Sequence, residues 1–290
     1  MIETCCQLGG HRQLAAISTE PGTDARRLAV VMVSAGLVPK FGPYRLYAEL
    51  ARRLAGSGLR SLRFDLGDVG DSRPAHPGQA LVERTRREIA TAVDHLEQRF
   101  DLDGVILSGL CSGAEDSFRY AESDPRVRAV VLIDPFSYRT PGWHWRNALQ
   151  RLTRRTLRLL GLYEPLEYRH AATPKGASVG ASRLTYQGME FAEAGRILKT
   201  LIARNVQLHF IYTGGSSESF NHVGQLQAMF RGVDFRGQVT VDLLPHIDHT
   251  QPLQAERDDL IEIIARRLEP LGRRVTRAGV AADDGTFARA

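Results

Sequence analysis

Long hydrophobic runs are missing from this chain. No apolar stretch approaches the roughly 18–20 residues that a bilayer span needs, which excludes an integral membrane segment. Cysteine is scarce too: three residues, two of them adjacent (Cys5 and Cys6), an odd count that makes no disulfide framework. The first residues, Met1-Ile2-Glu3-Thr4, lack the basic start and apolar core of an export signal, so a reducing, cytoplasmic setting is expected. A large overall excess of one charge sign is missing as well. A net +5 over 290 residues, carried almost wholly by arginine, is too mild to argue for nucleic acid. No G-x-x-x-x-G-K-[ST] loop and no strand-anchored G-x-G-x-x-G occurs, so no nucleotide cofactor is expected. The close cluster His246, Asp248 and His249 has no third ligand of definite position, and no metal is expected there. What remains, at 43% hydrophobic and 24% charged residues, is the composition of an ordinary globular protein long enough for a sizeable core.

Short apolar runs alternate with amphipathic stretches, the pattern of an α/β protein with a mostly parallel sheet. Leu28–Val33, Leu59–Phe64, Gly104–Ser108, Val127–Ile133, Val206–Tyr212 and Val239–Leu244 read as strands. Between them, Leu46, Leu50 and Leu54 fall on one helix face, as do Ile89, Val93, Leu96 and Phe100 on another. A last helix carries Leu260, Ile261, Ile264 and Leu268. From Phe136 to about Leu201 there is helical pattern but no good strand, which is longer than an ordinary connection and reads as a helical cap inserted over the sheet's carboxyl edge. The expected division is therefore a core of 1–136 and 202–275, a cap of 137–201 and a frayed tail of 276–290. In the cap, Trp145, Leu149, Leu152, Leu159 and Tyr163 could form one helix face. Arg146, Arg151, Arg154, Arg155 and Arg158 surround it, with no acid among residues 142–163.

The sharpest chemical signal is Gly109-Leu110-Cys111-Ser112-Gly113, placed between a buried strand and a helix. It is the nucleophile-elbow pattern G-x-S-x-G with cysteine in the serine position. So tight a turn holds its central residue at strained dihedrals, and flanking glycines avoid backbone clashes. The helix start beneath it favours a thiolate. Cys111 is thus the expected nucleophile. His249 is the expected base: it follows the last strand, at the same sheet edge, and lies further into its loop than His246. For the acid that fixes the imidazole, Glu218 in the loop after the penultimate strand is preferred, with Asp134 after the preceding strand as the alternative. Oxyanion donors are expected at the amides of Ser112 and, in the loop after the first strand, Leu37.

At these residues, over roughly 25–270, the chain resembles the α/β-hydrolase superfamily. The matching pieces are Ala35-Gly36-Leu37, the stretch Asp65-Leu66-Gly67-Asp68-Val69-Gly70-Asp71-Ser72 in place of that family's D-x-x-G-x-G-x-S loop, the elbow, and Asp248-His249. The cysteine makes it similar to dienelactone hydrolases and to hydrolases associated with exosortase systems. Gly42-Pro43-Tyr44-Arg45 and Leu62-Arg63-Phe64-Asp65 look closest to the latter. The resemblance implies an α/β-hydrolase fold: a mostly parallel central sheet flanked by helices, with an inserted helical cap.

Together these features lead us to expect an acyl-transfer enzyme that cleaves a thioester, ester or lactone through an acyl-Cys111 intermediate. Transfer or ring closure of a carrier-bound acyl chain is the enzymatic alternative, and a non-catalytic binding module on a hydrolase scaffold the other. The substrate is a small acyl compound. The arginine-rich cap could meet an acidic acyl-carrier domain, which suits thioester chemistry better than the other surface considered, anionic lipid.

Overall fold

The strands predicted from unbroken apolar runs are buried on both faces, as a covered parallel sheet requires, except the last, Val239–Leu244, which is half-buried throughout at the sheet's edge. In the computed structural model, which describes residues 1–10, 13–22, 25–76, 78–160 and 188–278, eight strands form one sheet. They are β1 (Ile2–Leu8), β2 (Leu14–Glu20), β3 (Leu28–Val33), β4 (Arg60–Phe64), β5 (Gly104–Leu110), β6 (Val127–Ile133), β7 (Gln207–Thr213) and β8 (Val239–Leu244). Their order is β1-β2-β4-β3-β5-β6-β7-β8. From β4 to β8 all neighbours are parallel; β1 and β2 add an antiparallel pair at one edge.

Two layers of helix cover the sheet. Leu46, Leu50 and Leu54 of α1 (Leu46–Ala55) and Leu260, Ile264 and Leu268 of α7 (Gln254–Ala278) pack with Val30, Met32 and Ile106 on one face. On the other, α2 (Leu81–Arg99), α3 (Ser112–Ser123) and α5 (Phe191–Ala203) close over Val31, Val33, Leu107 and Phe210. The period-two alternation along β3 divides its side chains between these two cores. A short helix α6 (Gln225–Met229) adds to the second. α4 (Pro141–Leu159) buries only Trp143.

The N-terminal pair is the element that sequence pattern did not supply. β1 is exposed at nearly every position until Leu8, so no apolar alternation marks it. Within the expected cap, α5 sets Ala194, Ile197, Leu198 and Leu201 into the main core, so this part flanks the sheet. Tyr163, expected on the cap helix face, lies outside the described residues, as does the expected tail from 279 onward, although α7 runs through Ala278.

The topology places a crevice. β3 leads to β4 on one side, and the chain then returns to lay β5 on the other. The loops leaving the carboxyl ends of β3 and β5 consequently diverge, and such a switch point is where open parallel sheets hold ligands. Core packing must hold both strands firmly for this to work. Phe118 on α3 is fully buried, with its ring 5.2 Å from Phe136 and 6.2 Å from Phe210. Phe118→Ala is expected to lower the unfolding free energy by about 3–5 kcal/mol, measured by urea denaturation.

Candidate active site

Cys111 stands between β5 and α3 with φ 52° and ψ −121°, a conformation that costs a non-glycine residue on the order of 1–3 kcal/mol. Its neighbours make that turn possible. A Cβ on Gly109 would lie 2.2 Å from the Gly113 carbonyl oxygen, and one on Gly113 would lie 2.5 Å from that of Val33. Hydrogen bonds then fix it: the Cys111 amide donates to Ile133 (2.8 Å), and its carbonyl accepts from the amides of Ala114 and Glu115. One residue earlier, the Leu110 amide donates to the buried Tyr47 hydroxyl (2.9 Å), which itself donates to the Val33 carbonyl (3.0 Å). The thiol-bearing residue is exposed.

The imidazole of His249 comes close enough to the Cys111 side chain for the thiol to influence its titration. It arrives on the loop after β8, and Gly215 leaves room for it, since a Cβ there would lie 2.4 Å from the His249 Cβ. His246, the other histidine in that loop, is exposed and faces Asp259 at 3.5 Å.

The acid on this histidine is Asp134. His249 Nδ1 lies 2.7 Å from Asp134 Oδ2. The aspartate has φ 46°, a left-handed conformation that aspartate tolerates better than most side chains. Its amide continues the sheet ladder to Ile211 (2.8 Å) while its carboxylate accepts from the Thr213 amide (2.7 Å), the Thr213 hydroxyl (2.5 Å) and the Ser216 hydroxyl (2.6 Å). The preferred Glu218 is not brought in. It is exposed in the turn after β7, its carbonyl accepts from Arg139 Nε, and its carboxylate has no partner among the described residues. The reason is strand order: β6 lies between β5 and β7, so an acid at its end borders both neighbouring loops. The chain order Cys111, Asp134, His249 still matches the order expected for nucleophile, acid and base.

Asp134 and Cys111 leave their mark on the imidazole. The hydrogen bond to Asp134, then the neighbouring Cys111 side chain, push its pKa from 6.5 up to about 10, with burial opposing both. These surroundings favour the protonated ring. Because the folded value lies above the unfolded one, its contribution to stability is fully present below pH 6.5 and is lost as pH rises through about 10. With the side chain 38% exposed, solvent screens that contribution. A cation at this place stabilises negative charge on the neighbouring sulfur.

The two expected oxyanion donors lie on either side of the crevice. The Ser112 amide opens α3, and the Leu37 amide lies in the turn closed by Val38 N donating to the Ala35 carbonyl (2.8 Å). Neither is committed to a partner among the described residues. The Ser112 hydroxyl accepts from the Gly36 amide (2.8 Å), tying this loop to the elbow. Further along it, Lys40 donates to the fully buried Asp65 through both its amide (2.5 Å) and its ammonium (2.7 Å), and the ammonium also meets Asp71 (2.8 Å). The Asp65–Ser72 stretch is thus a latch on the loop after β3. A Cβ on Gly70 would sit 2.4 Å from Asp65 Oδ2, so only glycine lets that loop close around the carboxylate. Among the described residues, no cluster of three or more His, Cys, Asp or Glu could hold a metal ion.

An NMR pH titration of the His249 ring should show a midpoint near 10. In Asp134→Asn, which removes the largest cause, the midpoint is expected to fall toward 6.5.

No family model matches the chain, and no curated protein matches it in sequence. Solved structures do. It is similar to the α/β hydrolase GrgF from Penicillium sp. sh18 at 15% identity and TM-score 0.60, over 94% of this chain and 99% of that one. The esterase Pf2001 of Pyrococcus furiosus aligns at 12% identity and TM-score 0.59, over 93% of this chain and 91% of its own. XC6422 from Xanthomonas campestris, described as an a/b serine hydrolase without lid, aligns at 14% identity and TM-score 0.53, over 97% and 96% of the two chains. By sheet order, elbow and these likenesses, the chain has the α/β-hydrolase fold.

Proposed function

We propose that this protein is an acyl-transfer enzyme of the esterase and thioesterase kind, working through an acyl-Cys111 intermediate. One observation carries the reading: an exposed sulfur on a strained elbow, beside an imidazole that is itself held by a buried carboxylate. A structural cysteine has no use for that chain of contacts.

With the Cys111 thiol proton held on His249, the thiolate Sγ attacks the substrate's carbonyl carbon and the carbonyl electron pair moves onto oxygen. The Ser112 and Leu37 amides receive that oxyanion. As the carbonyl re-forms, the bond to the leaving group breaks and His249 passes its proton to the departing atom. Asp134 keeps the imidazole oriented and offsets its charge throughout. In the second half, water or another nucleophile gives a proton to His249 while attacking the acyl-cysteine. Collapse then frees the acyl product and returns the sulfur. A sulfur nucleophile expels alkoxides reluctantly but exchanges readily with other thiolates, so a thioester or strained lactone is the substrate class. The thioester can arrive on a small thiol or on an acidic carrier protein; both leave the same acyl-cysteine.

Intact-protein mass spectrometry during turnover of an activated thioester is expected to show one acyl mass added to the wild type and none on Cys111→Ala. Because Cys111→Ala retains Cys5 and Cys6, an adduct of equal yield on that variant would refute the assignment. Steady-state kinetics should separate the two candidate acids. Asp134→Asn is expected to lower kcat/KM by about 10²–10⁴-fold, whereas Glu218→Gln, an exposed change, stays within about twofold of wild type.

A further inference from the structure

Helix α4 is built unlike the other long helices. Ile89, Val93 and Leu96 of α2 are fully buried, whereas Trp145, Leu149, Leu152 and Leu159 of α4 are 72%, 53%, 62% and 80% exposed. At ~100° per residue these four fall within about 80° of arc, a continuous stripe. Arg151, Arg154 and Arg155 occupy the remaining surface and have no partner among the described residues, and residues 142–163 contain no acid. The helix cannot cross a membrane. Its base is fixed: Thr140 caps it, Arg146 donates to Asn221 Oδ1 (2.9 Å), Asn221 donates to the Trp143 carbonyl (3.3 Å), and the Arg139 guanidinium stacks on Trp143 at 4.7 Å. Asn221 lies just past the turn whose Ser216 holds Asp134, so α4 rises from the edge that carries the candidate triad. That edge also exposes Leu37, Phe41, Val223 and Leu253 in the loops after β3, β7 and β8.

We propose that α4 is an interfacial helix that lays its apolar stripe into an anionic bilayer surface, bringing the carboxyl edge of the sheet against the lipid. An amphipathic helix with tryptophan and leucine on one face and arginine on the rest is the form that binds such surfaces. Charge decides the partner's sign, because an all-cationic helix is attracted to anionic headgroups. The stripe decides its class. A bilayer accepts both features at once, headgroups for guanidinium and acyl chains for the stripe. This inference goes beyond the acyl-transfer reading and does not depend on it.

Co-sedimentation of the full chain with vesicles tests it. Binding is expected to vesicles of phosphatidylcholine with about one third phosphatidylglycerol, to weaken in high salt, and to be far weaker with phosphatidylcholine alone. L149D/L152D should abolish it, and each charge reversal among R151E, R154E and R155E should weaken it by at least about fivefold. These substitutions are at exposed positions, so the far-UV circular dichroism spectrum and thermal unfolding midpoint should match wild type and show that the variants are folded. The proposal is overturned if the wild type stays in the supernatant with anionic vesicles, or if L149D/L152D binds as well as wild type. It is also overturned if light scattering shows the stripe closed in a dimer that the same double substitution disperses, or if an acidic acyl-carrier protein binds the arginines while vesicles do not.

Discussion

The left-handed backbone at Cys111 is the constraint on which the rest of the site depends. Holding a side chain at positive φ between a strand and a helix requires that nothing occupy the space on either side, and Gly109 and Gly113 meet that condition with contacts no Cβ would survive. The turn lifts the sulfur out of the sheet while leaving the first amide of α3 unspent. Strain of this kind persists only where surrounding structure over-determines it. Here the ladder bond to Ile133, the Tyr47 bridge and the bonds from the first turn of α3 all act on the same few residues.

Around that turn, charge is arranged in two buried carboxylate centres. Asp134 gathers hydroxyls, an amide and an imidazole at the end of β6, and Asp65 gathers an ammonium and backbone amides at the end of β4. A buried carboxylate is costly unless its oxygens are satisfied, so each one dictates the shape of the loops that supply donors. The first orients the histidine; the second anchors the loop that faces the elbow. Neither centre needs to touch a substrate to shape the chemistry at the sulfur.

Much of this was legible in sequence because it is local. The G-x-C-x-G spacing carries its own steric requirement, and β3, β5 and β6 are runs too short and too apolar to be anything but buried strands. His249 followed from its place after the last strand. The acid was ambiguous because lateral order in the sheet is not written locally: Asp134 and Glu218 both follow strands, and only the insertion of β6 between β5 and β7 brings one of them to the histidine. β1 was invisible because an exposed edge strand needs no apolar alternation. The Asp65–Ser72 stretch was recognisable as a motif, but its role depends on Lys40, a pairing across 25 residues of chain that no local pattern announces.

Tyr47 has a mechanical consequence. Its hydroxyl spans the ends of β3 and β5, where the two strands' loops part, and the ring belongs to α1 on the side of the sheet packed against α7. Complete burial raises its pKa above the ordinary phenol value, so the bridge keeps its proton across any working pH. The stiffness of the elbow is therefore borrowed from a helix pair on the sheet's far face. Loosening anywhere in that seam would be transmitted to Cys111 as play in its support, without any residue beside the sulfur having changed.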